Sequence, residues 1–204
     1  MGSLTVTETA ITSWSQAVSL NPNDFCTMLG IPAITDITGP SIGPRTGQTI
    51  SPNLIHTGGM PARVSTDGTD QTPVITEVYI AQIYVPANCT VTGVSIFNGS
   101  AVSGNVKVGL ADSTGAVVAT SASTAQAGID SYQRVPFTAT YAAKGPATYY
   151  VLVFVDNTTA RLNAHTFGDF RAAKQTGQVY ATGFTTITPP TTFTTALGTI
   201  ASLY

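Results

Sequence analysis

Thr148-Tyr149-Tyr150-Val151-Leu152-Val153-Phe154-Val155-Asp156 is the stretch that decides the fold. Side chains on a strand point to alternate faces. That places Tyr149, Val151, Val153 and Val155 on one side and Tyr150, Leu152 and Phe154 on the other. Both sides are apolar, so the stretch reads as a strand buried on both faces. A helix of this length would not stand alone, and β-branching disfavours it further. Gly145-Pro146 before it and Asp156-Asn157-Thr158-Thr159 after it supply the turns that bound a strand. Nothing in it is chemically reactive; its expected role is core.

The composition agrees with a β protein. Of 204 residues, 43% are hydrophobic, which is ample for a core. Only 9% are charged, against roughly 25% in an average soluble protein. Thr, Ser, Asn, Gln and Gly must therefore dress the surface, and Thr favours strands. A surface hidden against neighbouring molecules needs fewer solvating charges, since interface cores are depleted in charge. The net charge is −2 and the eight Lys and Arg are scattered, so the clustered cations that displace counterions from nucleic acid are missing. No apolar run approaches the length of a membrane span. The N-terminus lacks a basic region followed by an apolar one, and no secretory signal is expected. Cys26 and Cys89 are too few for a disulfide framework; both are expected as buried, reduced thiols.

The chain divides in texture near residue 75. After Pro73 the apolar residues repeat every second position, and strands are expected over 77–85, 90–97, 105–111, 116–121, 133–141, 148–156, 160–165 and 178–184, with a last one over 191–197 or a tail that crosses to a neighbour. Asp112-Ser113-Thr114-Gly115 and Asn98-Gly99 supply turns between them. Pro136 inside its strand demotes that strand to an edge or a bulge. Short strands with frequent turns make an antiparallel β-sandwich, with a jelly roll as the expected arrangement. The fold class is thus all-β: residues 76–204 as the sandwich, and residues 1–75 as an extended N-terminal arm.

The arm carries one short helix, expected near residues 22–29. Asn21 is its N-cap, Pro22 its first residue, Asp24 complements its dipole, and Gly30 with Pro32 ends it. It presents Phe25, Met28 and Leu29 together. So short a helix needs a surface to pack on, either this chain's own sandwich or a neighbouring chain, and these three are the candidate partner-binding residues. From Ile31 to Pro73 frequent Pro and Gly forbid long regular structure. A sandwich of about 130 residues can bury its own core, so the arm is not expected to be needed for folding.

A search for chemistry finds little. Gly39-Pro40-Ser41-Ile42-Gly43 has the letters of a nucleophile elbow, but Pro40 and Pro44 deny it the strand and helix the elbow requires. His56 and His165 each stand alone, without metal-site spacing; His165 reads as polar-face decoration of a strand. Asp67-Gly68-Thr69-Asp70 lacks the calcium-loop spacing and reads as a turn. Glu8 and Glu77 are the only Glu, and nothing selects a catalytic carboxylate pair. Trp14, Tyr132 and Tyr141 are the aromatics a sugar-binding face would use, with packing the better reading of each. No cofactor fingerprint appears.

One block carries a likeness. It runs Ile83-Tyr84-Val85-Pro86-Ala87, Val91-Thr92-Gly93-Val94, Gly104-Asn105-Val106-Lys107-Val108-Gly109-Leu110, Gly115-Ala116-Val117-Val118-Ala119-Thr120-Ser121, Tyr132-Gln133-Arg134-Val135-Pro136-Phe137, Tyr149-Tyr150 and Asn157-Thr158-Thr159-Ala160-Arg161, ending in Ile187-Thr188-Pro189-Pro190-Thr191-Thr192-Phe193. It resembles the jelly-roll domain of tailed-bacteriophage virion proteins, which include capsid decoration (cement) proteins and head or tail fibre modules. The resemblance covers residues 76–204 and its motifs are structural. It implies a non-enzymatic virion protein without cofactors. The expected role is a cement protein, assembled in the host cytoplasm and bound as a homo-trimer to the major capsid protein on the outer capsid surface. The alternative it leaves open is a receptor- or glycan-binding fibre module. Neither nucleic acid nor membrane is an expected partner.

Overall fold

The computed structural model describes residues 55–59 and 68–204; the expected helix near 22–29, with Phe25, Met28 and Leu29, lies outside them, as do Trp14, Cys26, Ser41 and Asp67. The described chain is all-β. Its strands are β1 (Thr69–Gln71), β2 (Val78–Val85), β3 (Cys89–Phe97), β4 (Asn105–Ala111), β5 (Val117–Thr120), β6 (Thr124–Ala125), β7 (Tyr132–Ala143), β8 (Ala147–Val155), β9 (Leu162–Ala164), β10 (Ala172–Gln175) and β11 (Ala201–Leu203). Every strand-to-strand pairing is antiparallel. The larger sheet runs β10-β2-β8-β4-β5, with β6 also on β4. The others are β11-β3-β7 and β1-β9, joined into one layer by the bridges Asn98–Leu162 and Ala164–Thr199. The two layers make a sandwich.

β8, the stretch that opened the sequence, lies between β2 and β4 in the middle of the larger sheet. Its two apolar faces meet two different cores. Tyr149, Val151, Val153 and Val155 join Ile83 and Val85 of β2 and Val106, Val108 and Leu110 of β4 against Val91, Val94 and Ile96 of β3 and Leu203 of β11. Tyr150, Leu152 and Phe154 face the other way, with Val78 and Ile80, onto Ile187, Tyr180 and Phe184. A sheet with one solvated face alternates apolar and polar residues. This one does not, because the segment after β10 folds back and covers its outer face.

That cover is irregular. The strand expected over 178–184 is a turn: Thr182 N–H bonds Val179 O and Gly183 N–H bonds Tyr180 O. Tyr180 and Phe184 are held by ring contacts with Phe154, at centroid distances of 5.2 and 6.2 Å. Lys107 reinforces this side, its Nζ donating to Tyr180 O at 2.7 Å while lying 4.6 Å from the Tyr180 ring centroid. Further on, Ile187 N–H bonds Gly115 O at 3.0 Å. Gly115 has φ +89 at the tip of the β4–β5 hairpin, and an added Cβ would run into Ile187 O. The glycine thus serves both the turn and the docking of the cover. The final strand expected over 191–197 is also displaced: the pairing residues are Ala201–Leu203, on β3.

Pro136 behaves as its type demands. β7 is the end strand of its sheet, and the register slips between Val91 and Gly93, with Gly93 opposite Pro136. Just beyond the slip, Phe137 bridges Ser121 and the Thr138 hydroxyl donates to Thr120 O at 3.1 Å. β7 therefore ties the end of β5 to the opposite layer.

The boundary at residue 75 does not coincide with the edge of the sandwich. Ile55 is buried in the main core and accepts the Leu203 N–H at 3.0 Å; His56 bridges Ser202; β1 pairs with β9. These pieces sit in a Pro- and Gly-punctuated stretch with no periodicity, so only the tertiary contacts reveal them.

Two outcomes are expected from unfolding experiments. Val153→Asp, at a fully buried inward position, should cost about 3 kcal/mol or more by burying an unpaired carboxylate, whereas Thr140→Asp, exposed on β7, should stay within about 0.5 kcal/mol. A chain beginning at Thr76 should melt well below one beginning at Asn53, because only the latter keeps Ile55 and its bond to β11. Equal melting temperatures would exclude residues 55–57 from the core.

Candidate functional site

Polar side chains gather in several places, among them Asn98 with Gln126 and Gln133, and two of these gatherings adjoin the main core or a sheet edge. The first is a buried clasp between residues 55–59 and the C-terminal stretch. The Thr57 hydroxyl, fully buried, donates to Thr199 O at 3.0 Å and accepts the Ala201 N–H at 3.0 Å. His165 Nε2 lies 3.2 Å from the same oxygen. The same hydroxyl also lies 3.2 Å from Ala201 O, and the direction of its contact with His165 follows the imidazole tautomer. Phe170 packs edge-on against the imidazole with centroids 4.9 Å apart. His165 is thus a buried structural residue, not the exposed decoration its strand position suggested. Burial pushes its pKa below the ordinary histidine value, with a bond to the Thr57 backbone opposing, and burial does the same to His56.

The second place is the β10 edge. A groove of ≈ 460 Å³ lies between Ala173–Thr176 and the run Thr188-Pro189-Pro190-Thr191-Thr192. Lys174 Nζ pairs with Glu77 Oε1 at 2.6 Å, and Glu77 Oε2 accepts the Tyr79 hydroxyl at 2.8 Å. That hydroxyl in turn accepts the Val74 N–H at 3.0 Å. Glu77 is buried, and two donors compensate its charge, as a buried carboxylate requires. Burial first, and the Glu77 bond second, push the Tyr79 pKa far above its usual range, so the phenol stays a donor. In the sequence Glu77 stood out only as one of two Glu. Its partner Lys174 did not stand out, because β10 has no strand signature.

The remaining candidates disperse. Asp70 accepts the Ser100 N–H and hydroxyl, which is turn chemistry across two loops. Tyr132 packs on Phe97 at 4.8 Å and Tyr141 on Tyr149 at 6.1 Å between ring centroids, so both aromatics are engaged in edge packing. Cys89 is a buried free thiol whose pKa burial raises. Among the described residues no group of three or more His, Cys, Asp or Glu stands where it could hold a metal ion, and no described helix is long and apolar enough to cross a membrane. The arrangement offers structural bonds and one strand edge; the hydroxyl and imidazole it does bring together, Thr57 and His165, are buried. Comparison with models of known families, with curated proteins and with solved structures returned no match.

The clasp predicts a pH dependence with a definite sign. Both histidines are held below their unfolded value of about 6.5, so the fold prefers them neutral. The unfolded chain binds more protons below that pH. Their contribution to stability should be complete above about pH 6.5 and be lost as pH falls through their folded values. Asp112, held low chiefly by the Thr114 hydroxyl, acts only below about pH 4 and leaves the histidine window clear. Denaturant unfolding from pH 7.5 to 5 should show the loss, and His165→Gln should flatten it; an unchanged slope in that variant would remove His165 from the clasp.

Proposed function

We propose that this chain is a non-enzymatic structural protein of a tailed-bacteriophage particle: a capsid decoration (cement) protein that binds the major capsid protein on the outer shell as a trimer and stabilises it. The observation that carries this reading is the nesting of the strand pairs. β1 pairs with β9, β2 with β8, β3 with β7, and β4 with β5. A ribbon folded over on itself gives that nesting, which supports a jelly roll, an architecture common in viral capsid domains. The residues of the phage-like block lie on this frame: Val91–Val94 on β3, Val106–Leu110 on β4, Val117–Thr120 on β5, Tyr132–Phe137 on β7 and Tyr149–Tyr150 on β8. The scarcity of charge supports it from another side, since a surface held against a shell needs few solvating ions.

The test is co-sedimentation of purified full-length chain with phage shells stripped of it. Saturable binding that raises the shell's melting temperature is expected, with a trimeric mass in analytical ultracentrifugation. Binding to a glycan array with no binding to shells would instead make the chain a fibre module.

A further inference from the structure

β10 is the end strand of the larger sheet, and its outer edge is only half closed. Gln82 N–H bonds Arg171 O at 2.8 Å across to β2, while Ala172 N–H bonds Thr192 O and Thr194 N–H bonds Ala172 O on the far side. Backbone groups on a strand alternate in direction. Ala173 and Gln175 therefore point their N–H and C=O at β2, and Lys174 points both of its groups outward. The chain that runs past them touches β10 at two places, Ala172 and the Gln175 side chain, which accepts the Thr188 N–H at 3.0 Å. Between these contacts it arches away through Pro189-Pro190, which have no N–H to offer an edge. The groove of ≈ 460 Å³ is the space under that arch, and among the described residues nothing bonds the Lys174 backbone there.

An independent observation lies beside it. Val74, Ile75 and Val179 are exposed at 40%, 48% and 60%. The Gln178 N–H bond to Thr76 O, 2.9 Å long, holds their two segments side by side, just beyond Thr176 at the end of the groove. Unpaired backbone groups next to exposed aliphatic side chains are the two elements of strand addition: main-chain bonds give affinity and apolar contacts give selectivity. A sugar would ask for an aromatic face, and this edge presents aliphatic residues.

We propose that this edge is the attachment site: an extended polypeptide segment of the shell, carrying a bulky apolar side chain, adds beside β10 through the Lys174 N–H and C=O and rests that side chain on Val74, Ile75 and Val179. This deepens the decoration reading and rests on it. It also moves attachment onto the sandwich, away from Phe25, Met28 and Leu29.

The edge can be tested without breaking the sheet. Lys174→Pro removes only an outward N–H, the position at which strands tolerate proline, while Lys174→Gln loses the same ion pair with Glu77 and keeps the N–H. Both full-length variants are compared by circular dichroism and melting, then by binding to stripped shells. Lys174→Pro should bind about tenfold or more weakly than Lys174→Gln, Val179→Asp should weaken binding in the same direction, and the Lys174 amide should gain protection from hydrogen exchange on the shell. Should Lys174→Pro fail to fold, Val179→Asp and the exchange data decide alone. Wild-type affinity in Val179→Asp with an unprotected Lys174 amide would overturn the edge site and leave shell binding standing; no binding by the wild-type chain would overturn both.

Discussion

The structure depends on one constraint: β8 is apolar on both faces and must be covered twice. The inner cover is the opposite layer, and it comes with the fold. The outer cover has to be supplied by some other part of the chain, and the segment after β10 supplies it with Tyr180, Phe184 and Ile187. Each fully buried side chain of this size is worth about 1.5–3 kcal/mol, so leaving Tyr150, Leu152 and Phe154 in water would forfeit a large share of a domain's margin of about 5–15 kcal/mol. The cover is held by few backbone bonds, notably Ile187 to Gly115. Its hold is mostly ring packing and the Lys107 clamp, which explains how an irregular segment can be a structural necessity.

That division also explains what could be read from the chain alone. Apart from the two-residue β6, which had no expected counterpart, the strands from 78 to 155 had expected limits within a residue or two of those observed, because local pattern and tertiary burial agree there. The face assignment of β8 was legible for the same reason. β10 was not: Ala172-Ala173-Lys174-Gln175 has no β-branched or aromatic residue, and it is a strand only because β2 offers it a partner. Over 178–184 the error ran the other way. Tyr180 and Phe184 looked like strand residues, yet both are placed by Phe154, Tyr180 on a turn and Phe184 just after it. Ile55 and Thr57 gave no signal at all among the prolines and glycines, since their roles are defined wholly by the C-terminal stretch that they bond. Of the second polar gathering, Glu77 was noticed and Lys174 was not, and the groove depends on an arch that no periodicity encodes.

The clasp shows how a stretch without periodicity can belong to the core. Residues 55–59 enter the sandwich through Ile55 and Thr57, and the single Thr57 oxygen satisfies Thr199 O, the Ala201 N–H and His165 together. A hydroxyl used this way costs little to bury, because it both donates and accepts. Residues 55–57 are therefore part of the sandwich itself.

Burying both faces of the larger sheet leaves a partner only its rims. One rim is closed: β5 is tied to β7 by the Ser121–Phe137 bridge and the Thr138 hydroxyl, and β7 carries a proline and a register slip that discourage further pairing. The other rim is guarded at both ends of β10 and, among the described residues, open between them, because two consecutive prolines cannot complete the ladder. A sheet that needed merely to be protected would have closed that rim as it closed the first, with a strand or a charge facing outward. The Lys174 ammonium could have been that charge, but it is drawn aside to the buried Glu77. The ion pair thus stabilises the head of β2 and at the same time leaves the backbone edge of β10 approachable, so one short contact links the stability of the sandwich to the surface it can offer.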